Sequence, residues 1–184
     1  MNTAHDKSKT SSIVLAFVKP MLCALIAIIL ITVSGFHVVT VYGASMDTTL
    51  ESGEKIIVTN FLYTPKCGDI VVIDKKDTLN QDIIKRVIAV EGQSIRLDYD
   101  NDKIYIDGKE LNEPYLKCST FAGRRGNYDI PSVIPEGKVF VMGDNRGISL
   151  DSRSSDVGMV DVKDIIGKAQ FAVFPFDRFG GFDA

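Results

Sequence analysis

Histidine is nearly absent from this chain, whose 184 residues contain His5, His37 and no histidine beyond them. Ser-His-Asp triads, Cys-His pairs and His-containing metal sites all need an imidazole, so residues 41–184 hold none of them. Transpeptidation of the sortase type is excluded on the same ground. A strongly basic face is also missing, because 21 basic and 24 acidic side chains give a formal charge of −3. That balance argues against a nucleic-acid-binding protein.

Cysteine is scarce as well, since the chain has only Cys23, Cys67 and Cys118. None of them forms a ligand cluster with histidine, so the sequence predicts no metal site, and no cofactor is expected. Cys67 and Cys118 could meet in an oxidising compartment. Two cysteines far apart in sequence do not establish a disulfide, so their pairing stays open.

Formal charge is missing from Met21 to Thr40, a stretch rich in Leu, Ile, Val and Ala. About twenty helical residues cross a hydrocarbon core roughly 30 Å thick. Lys7, Lys9 and Lys19 precede this stretch, and no early basic cluster follows it. The positive-inside rule then places the N-terminus in the cytoplasm.

We therefore predict a cytoplasmic N-terminus over 1–12, a transmembrane signal-anchor helix over 13–40 and an extracytoplasmic domain over 41–184. A cleaved signal peptide is one alternative, but the apolar run is longer than the usual h-region of about 7–15 residues. The segment 42–44, Tyr-Gly-Ala, would also put a bulky tyrosine at position −3. A helix buried in a soluble core is the other alternative.

Short segments rich in β-branched residues follow, separated by turn signals such as Asp107-Gly108. No stretch beyond residue 41 carries a long apolar period of 3.6 residues. The sequence therefore predicts a mainly β, antiparallel domain with a small excursion over roughly 94–135. The candidate strands are 55–59, 69–73, 83–90, 94–99, 103–106, 138–142 and 168–173.

In the absence of histidine, a lysine amine can serve a hydroxyl nucleophile as its base. That lysine must be neutral near pH 7, although its reference pKa is about 10.4, and burial in apolar surroundings supplies the shift. Lys85 fits because both faces of its candidate strand are apolar apart from Lys85 and Arg86. The alternative is a lysine at a solvated strand edge.

Ser45 is the candidate nucleophile, because it follows the uncharged stretch closely and lies near Gly43, which permits close backbone approach to a ligand. By itself it has the pattern of an ordinary loop serine. Residues 143–153 alternate acid, amide, base and hydroxyl after an apolar strand. That pattern is typical of a surface loop with ion pairs and Asx turns, and it also suits a supporting shell around a site.

These segments resemble the type I signal peptidases, membrane-anchored Ser/Lys proteases that remove signal peptides, and among them the Gram-positive members. The family box Ser-Met-x-Pro-Thr-Leu is similar to residues 45–50, with Thr48 in place of the proline. The lysine box is similar to 85–89 with Gly92 following, and the box Gly-Asp-Asn-Arg-x-x-Ser-x-Asp-Ser-Arg is complete at 143–153. Further similar segments are 68–72, 107–116, 165–169 and 174–178.

The resemblance implies Ser45 as nucleophile, Lys85 as general base and Ser149 as the residue whose hydroxyl orients the amine. The backbone N–H of Ser45 is the implied oxyanion donor. Gly43 stands where some members carry a serine whose hydroxyl adds to that stabilisation. The other supporting positions that the resemblance carries over are Met46, Arg86, Asp144, Arg146, Asp151 and Arg153.

The implied function is cleavage of preproteins after small residues, commonly Ala-x-Ala, through an acyl-enzyme. The implied partners are preprotein signal peptides and membrane lipid, together with secretion machinery or pilin subunits, and no nucleic acid. Thr48 leaves φ less fixed than proline would, which puts general activity in doubt. Two alternatives stay open: a peptidase for a few pilin-like clients, and a catalytically weak pilus-assembly factor. A Ser/Lys autoprotease like the repressors of the bacterial damage response would need a DNA-binding domain and a cytoplasmic location, and the predicted membrane span argues against both.

Overall fold

A computed structural model describes residues 16–29, 35–47, 49–123 and 126–182. The chain divides into two compact units, Met1–Phe36 and His37–Ala184. In the first unit, helix α1 covers 16–29, and its large apolar side chains, including Phe17 and Leu22, are exposed. Among the described residues, we find no helix with both the length and the apolar character needed to cross a membrane.

The range predicted for the anchor helix, 13–40, is wrong at its end. His37–Thr40 form strand β1, which pairs antiparallel with β2 (Lys55–Thr59). Uncharged, β-branched residues suit a half-buried strand as well as an apolar helix, so hydropathy alone did not separate the two. Residues 13–15 and 30–34 of the predicted helix, like the lysines at positions 7 and 9, lie outside the described residues.

The second unit contains a large antiparallel sheet in which, among the described residues, eight strands take part. Besides β1 and β2, its strands are β3 (Ile70–Lys75), β4 (Gln81–Val90), β8 (Lys138–Met142), β9 (Val160–Asp161), β10 (Ile165–Phe174) and β11 (Gly180–Gly181). Their order in the sheet is β1-β2-β10-β3-β4-β8-β9, and β11 pairs with β10.

A smaller antiparallel sheet lies in the predicted excursion, with the order β5-β6-β7. Its strands are β5 (Ile95–Asp98), β6 (Lys103–Ile106) and β7 (Lys109–Glu110). The connections include a one-turn helix α2 (Lys76–Leu79) and 3₁₀ turns at Val162–Asp164 and Phe176–Arg178. The prediction of a mainly β, antiparallel domain is confirmed, and each of the seven candidate strands overlaps a strand of the structure.

The core of the second unit consists of three clusters of buried apolar side chains. One cluster holds Met46 and Leu50 against the residues of β2, β3 and β10 that face them. The others lie between β3, β4 and β8, and between β4, β8 and the small sheet. At about 25 cal/mol per Å² of apolar surface, fully burying one such side chain stabilises the fold by about 1.5–3 kcal/mol. The loop around residue 45 is therefore anchored to the sheet by its own apolar neighbours.

Candidate active site

The loop that carries Ser45 is a tight turn that follows β1. It begins at Gly43, whose φ of +82° is a left-handed conformation that favours glycine. The amide of Asp47 donates to Ala44 O at 3.2 Å, and the amide of Leu50 donates to Met46 O at 2.9 Å. Because Met46 is buried and Ser45 is its chain neighbour, the turn presents Ser45 from a fixed base.

Lys85 meets Ser45 from the middle of β4. Its Nζ lies 2.7 Å from Ser45 Oγ and donates to Ile84 O at 2.9 Å. The Lys85 residue is only 3% exposed, so the reading of a lysine at a solvated strand edge is wrong. Burial lowers the pKa of the Lys85 amine to about 8, although the negative charges of Asp151 and Asp144 act in the opposite direction.

Residues 143–153 pack directly against the turn that carries Ser45, called the nucleophile turn below after the role that the resemblance implies. A Cβ added at Gly143 would lie 2.4 Å from Ser45 O and 2.2 Å from Ser149 Oγ, so only glycine fits there. The amide of Asn145 donates to Ser45 O at 3.0 Å. The polar segment is therefore a supporting shell around Ser45 and not a solvated surface loop.

Two buried arginine–aspartate pairs connect the site to its surroundings, one of them through Arg86, the chain neighbour of Lys85. Arg86 binds Asp144 through two hydrogen bonds of 2.9 and 2.7 Å, and Arg153 binds Asp151 through two of 2.8 Å. All four side chains are at most 4% exposed. Removing one partner of such a pair leaves an uncompensated buried charge and costs about 3–5 kcal/mol. These pairs hold the polypeptide around the site in one arrangement.

Ser149 is buried beside Gly143, where an added Cβ would lie 2.2 Å from Ser149 Oγ. The pKa of the Asp151 carboxyl is lowered, although burial opposes the change, by Arg153 above all and to a smaller extent by the Ser149 hydroxyl. The role that the resemblance gives Ser149, to orient the Lys85 amine, stays a prediction.

A groove of about 570 Å³ runs past Ser45 and Lys85. One wall is formed by residues 39–46 and the other by residues 81–85, with Ile148 and Leu150 between them. The register of β4 explains the opening, because β3 pairs with β4 from Gln81 onwards whereas β8 pairs with β4 only from Arg86 onwards. Among the residues that the structure describes, the first half of β4 thus has no strand neighbour on its β8 side.

Comparison with known proteins decides the family. Residues 14–174 match the model of the family described as signal peptidase, peptidase S26. Signal peptidase I of Bacillus licheniformis is 37% identical over 184 residues, covering 96% of this chain and 97% of that protein. The chain belongs to the signal peptidase family.

Two further relatives carry the same kind of name. Signal peptidase IB of Staphylococcus aureus strain Mu50 is 36% identical over 174 residues, covering 84% of this chain and 87% of that protein. A crystal structure of a signal peptidase I from Enterococcus faecalis V583 is 28% identical, with a TM-score of 0.48, and covers 58% of this chain and 97% of that chain. The chain is a signal peptidase I of the S26 serine peptidases, a membrane-bound family that acts on preproteins with signal peptides.

Within this signal peptidase, further residues contact the site that the motifs alone did not single out. The Thr49 hydroxyl donates to Asp144 at 2.5 Å, and the Tyr115 ring lies 3.8 Å from the guanidinium of Arg86. Glu113 pairs with buried Arg146 at 2.5 Å. The similar segment 107–116 contains Glu113 and Tyr115, so the resemblance could have singled them out. Nothing in the sequence told which buried arginine each would meet.

The remaining sequence questions concern cysteine and position 48. The thiols of Cys23, Cys67 and Cys118 are free, so the disulfide left open by the sequence is not formed. The Cys67 thiol donates to Ile88 O at 3.1 Å. Thr48, the departure from the family box, lies outside the described residues.

Proposed function

We propose that this signal peptidase cleaves preproteins with Ser45 as nucleophile and Lys85 as general base. The observation that carries the proposal is the 2.7 Å between Lys85 Nζ and Ser45 Oγ in a buried setting. A lysine amine with a pKa of about 8 is partly neutral at pH 7 and mostly neutral above pH 8. Only the neutral amine has a lone pair with which to accept the hydroxyl proton.

The hydrogen bonds of Lys85 orient that lone pair. With one N–H donated to Ile84 O, the lone pair can turn toward Ser45 Oγ. The charges of Asp151 and Asp144 oppose burial and raise the pKa of the amine, and Ser149 orients the amine as the resemblance implies. Ser149 is thus a positioning residue in this proposal.

The reaction then runs in two steps. Ser45 Oγ attacks the scissile carbonyl and transfers its proton to Lys85, and the resulting ammonium protonates the leaving amine, so that an acyl-enzyme forms. The neutral amine next takes a proton from water, which attacks the ester; the ammonium then returns a proton to Ser45 Oγ as the Oγ–acyl bond breaks and the acyl product leaves. The Ser45 N–H makes no hydrogen bond within the described residues, and we assign it to the oxyanion.

The groove supports an extended substrate. A peptide can lie as an added strand along residues 81–85, where no described strand pairs with β4 on its β8 side, and reach Ser45. Gly43, Ala44, Ile84 and Leu150 all line the groove, and they leave room for small apolar side chains. This lining supports the preference for Ala-x-Ala that family resemblance implies.

The location proposed for the enzyme is the cell membrane, with a single span, a cytoplasmic N-terminus and the catalytic unit outside. The uncharged stretch from Met21 and the lysines that precede it support this topology. Membrane lipid and secretion machinery are the partners that follow from such a position. A Ser/Lys autoprotease of the damage response would act in the cytoplasm next to a DNA-binding domain, and the near full-length match to signal peptidases disfavours it.

The second candidate function is a peptidase that cleaves only a few specific substrates. Thr48 in place of the family proline favours a peptidase that serves a few pilin-like clients. A catalytically weak pilus-assembly factor of the same fold is disfavoured because Ser45 and Lys85 lie at hydrogen-bond distance. A general secretory preprotein and a pilin precursor, assayed side by side, would separate broad from narrow use.

The first test is cleavage itself. We expect the detergent-solubilised full chain to cut a preprotein after an Ala-x-Ala sequence, as read by sequencing the new N-terminus. Ser45→Ala should lose this activity while its circular dichroism spectrum stays unchanged. Cleavage by Ser45→Ala at the wild-type rate would show that another group is the nucleophile.

A further inference from the structure

Arg178 reaches from the C-terminal segment onto the loop that carries Ser45. It closes the 3₁₀ turn Phe176–Arg178, which follows β10. Its guanidinium pairs with the carboxylates of Glu51 and Glu54, and its Nη2 donates to Thr49 O at 3.4 Å. All three acceptors lie in the six residues from Thr49 to Glu54, directly after the nucleophile turn.

Glu54 makes this contact more than a surface ion pair. Its side chain is 3% exposed, and burial raises the pKa of its carboxyl while the charge of Arg178 lowers it. A buried carboxylate needs a charged or hydrogen-bonding partner to stay in place. The backbone of Glu54 also accepts from the Val41 amide at 2.8 Å, and Val41 leads directly into the nucleophile turn.

Thr49 is held from two directions. Its hydroxyl donates to Asp144, which also binds Arg86, the neighbour of Lys85. Its carbonyl accepts from Arg178. Position 48 immediately precedes Thr49 in the chain. The similar family box has a proline there, and this chain has threonine. A proline ring would fix φ there, whereas threonine does not.

We propose that Arg178 is a positioning residue that restrains the nucleophile loop, a restraint that the chain needs because position 48 is not proline. The guanidinium suits this role because its planar fork can bind several acceptors at once. The proposal rests on the proposed function, since it concerns how Ser45 is aimed at a substrate. Arg178 itself does not line the groove beside Ser45 and Lys85.

The test begins with Arg178→Ala, assayed as the full chain in detergent with an Ala-x-Ala peptide. We expect kcat per folded enzyme to fall about tenfold or more and KM to stay within about twofold, because the groove walls are untouched. The pH at which activity is half-maximal should stay in place, because the charges that act on the pKa of Lys85 are those of Asp151 and Asp144. The matched control is Arg96→Ala, which removes an ion pair with Asp98 and a stack on Tyr105 in the small sheet and should leave kcat unchanged.

Rescue separates loop restraint from general stability. Thr48→Pro should change wild-type kcat little and should bring Arg178→Ala back to within about threefold of Thr48→Pro alone. The unfolding temperature is measured for the wild type, Arg178→Ala, Thr48→Pro and the double variant. The increase in kcat on adding Thr48→Pro must be larger than any increase in the folded fraction can explain. Failure of Thr48→Pro to restore kcat would overturn the proposal, as would an Arg178→Ala enzyme with wild-type kcat.

A conservative variant covers the case in which Arg178→Ala does not fold. Arg178→Lys keeps one positive charge for buried Glu54 but loses the fork that reaches Glu51 and Thr49 O. We expect it to fold and to show kcat reduced several-fold, and wild-type kcat in this variant would equally overturn the proposal. If the wild-type chain cleaves nothing, or Ser45→Ala still cleaves, the proposed function fails; normal activity of the Arg178 variants, with inactive Ser45→Ala, rejects the restraint alone.

Discussion

Lys85→Arg is expected to reduce kcat/KM by about 10³-fold or more, as much as Lys85→Ala. The guanidinium keeps the positive charge, but its pKa is above about 12, so it cannot accept the proton of Ser45 near neutral pH. General bases contribute about 10²–10⁴-fold to rate, and a base that works as a unit with its nucleophile contributes more. Peptide cleavage by purified full-length variants measures the effect.

The comparison of these two variants separates a base from a structural cation. If Lys85 only balanced the charges of Asp144 and Asp151, arginine would replace it well and alanine would not. Wild-type activity of correctly folded Lys85→Arg would therefore contradict the Ser/Lys mechanism. Circular dichroism confirms that each variant is folded before its rate is compared.

Replacing Lys85 should also show that the base is held at a cost in stability. The folded pKa of about 8 lies below the model-peptide value of 10.5, so below pH 8 the buried ammonium destabilises the fold. That penalty disappears as the pH rises toward 10.5. Lys85→Met is therefore expected to raise the free energy of unfolding at pH 7 by up to about 3 kcal/mol, since one pKa unit corresponds to about 1.4 kcal/mol. Urea unfolding measures this, and a less stable Lys85→Met protein would contradict it.

Gly143→Ala is expected to lower kcat by about 100-fold or more through a single methyl group. Its Cβ would lie 2.4 Å from Ser45 O and 2.2 Å from Ser149 Oγ, so Ser45 has to move away from the position in which Lys85 reaches it. A misplacement of about 1 Å at reacting atoms costs about 10²-fold in rate. Steady-state cleavage of an Ala-x-Ala peptide provides the measurement.

The matched control for this variant is Gly180→Ala. A Cβ at Gly180 meets no atom within 4 Å, and its φ is not in the left-handed region, so activity should be unchanged. Equal activity of the two glycine variants would show that residues 143–153 do not position the nucleophile.

The sequence predicted the strands well because their β-branched runs are bounded by clear turn signals. The burial of Lys85 followed from the same pattern, since both faces of its strand are apolar. The end of the anchor helix was predicted wrongly, because Val38 and Val39 satisfy a membrane helix and a sheet strand alike. Strands of two residues, such as β9 and β11, carry too few side chains to give any pattern.

The site was predictable in its parts and not in its contacts. The motifs that resemble signal peptidases contain Ser45, Lys85 and Ser149, but spacing along the chain does not say which charged side chains pair around them. The partner of Arg146 is Glu113, 33 residues earlier in the chain. Such pairing depends on how the segment of the small sheet folds back on the large one, which local sequence does not determine.

The most direct measurement of the central claim is the pH dependence of kcat/KM for an Ala-x-Ala peptide without titratable side chains. This ratio reports the pKa of the essential base in the free enzyme. Because burial lowers the pKa of Lys85 to about 8, kcat/KM should rise from pH 6 to pH 9 with its midpoint near 8. A profile that is flat across this range, or one whose midpoint lies near the 10.5 of an exposed lysine, would contradict the assignment of Lys85 as the base.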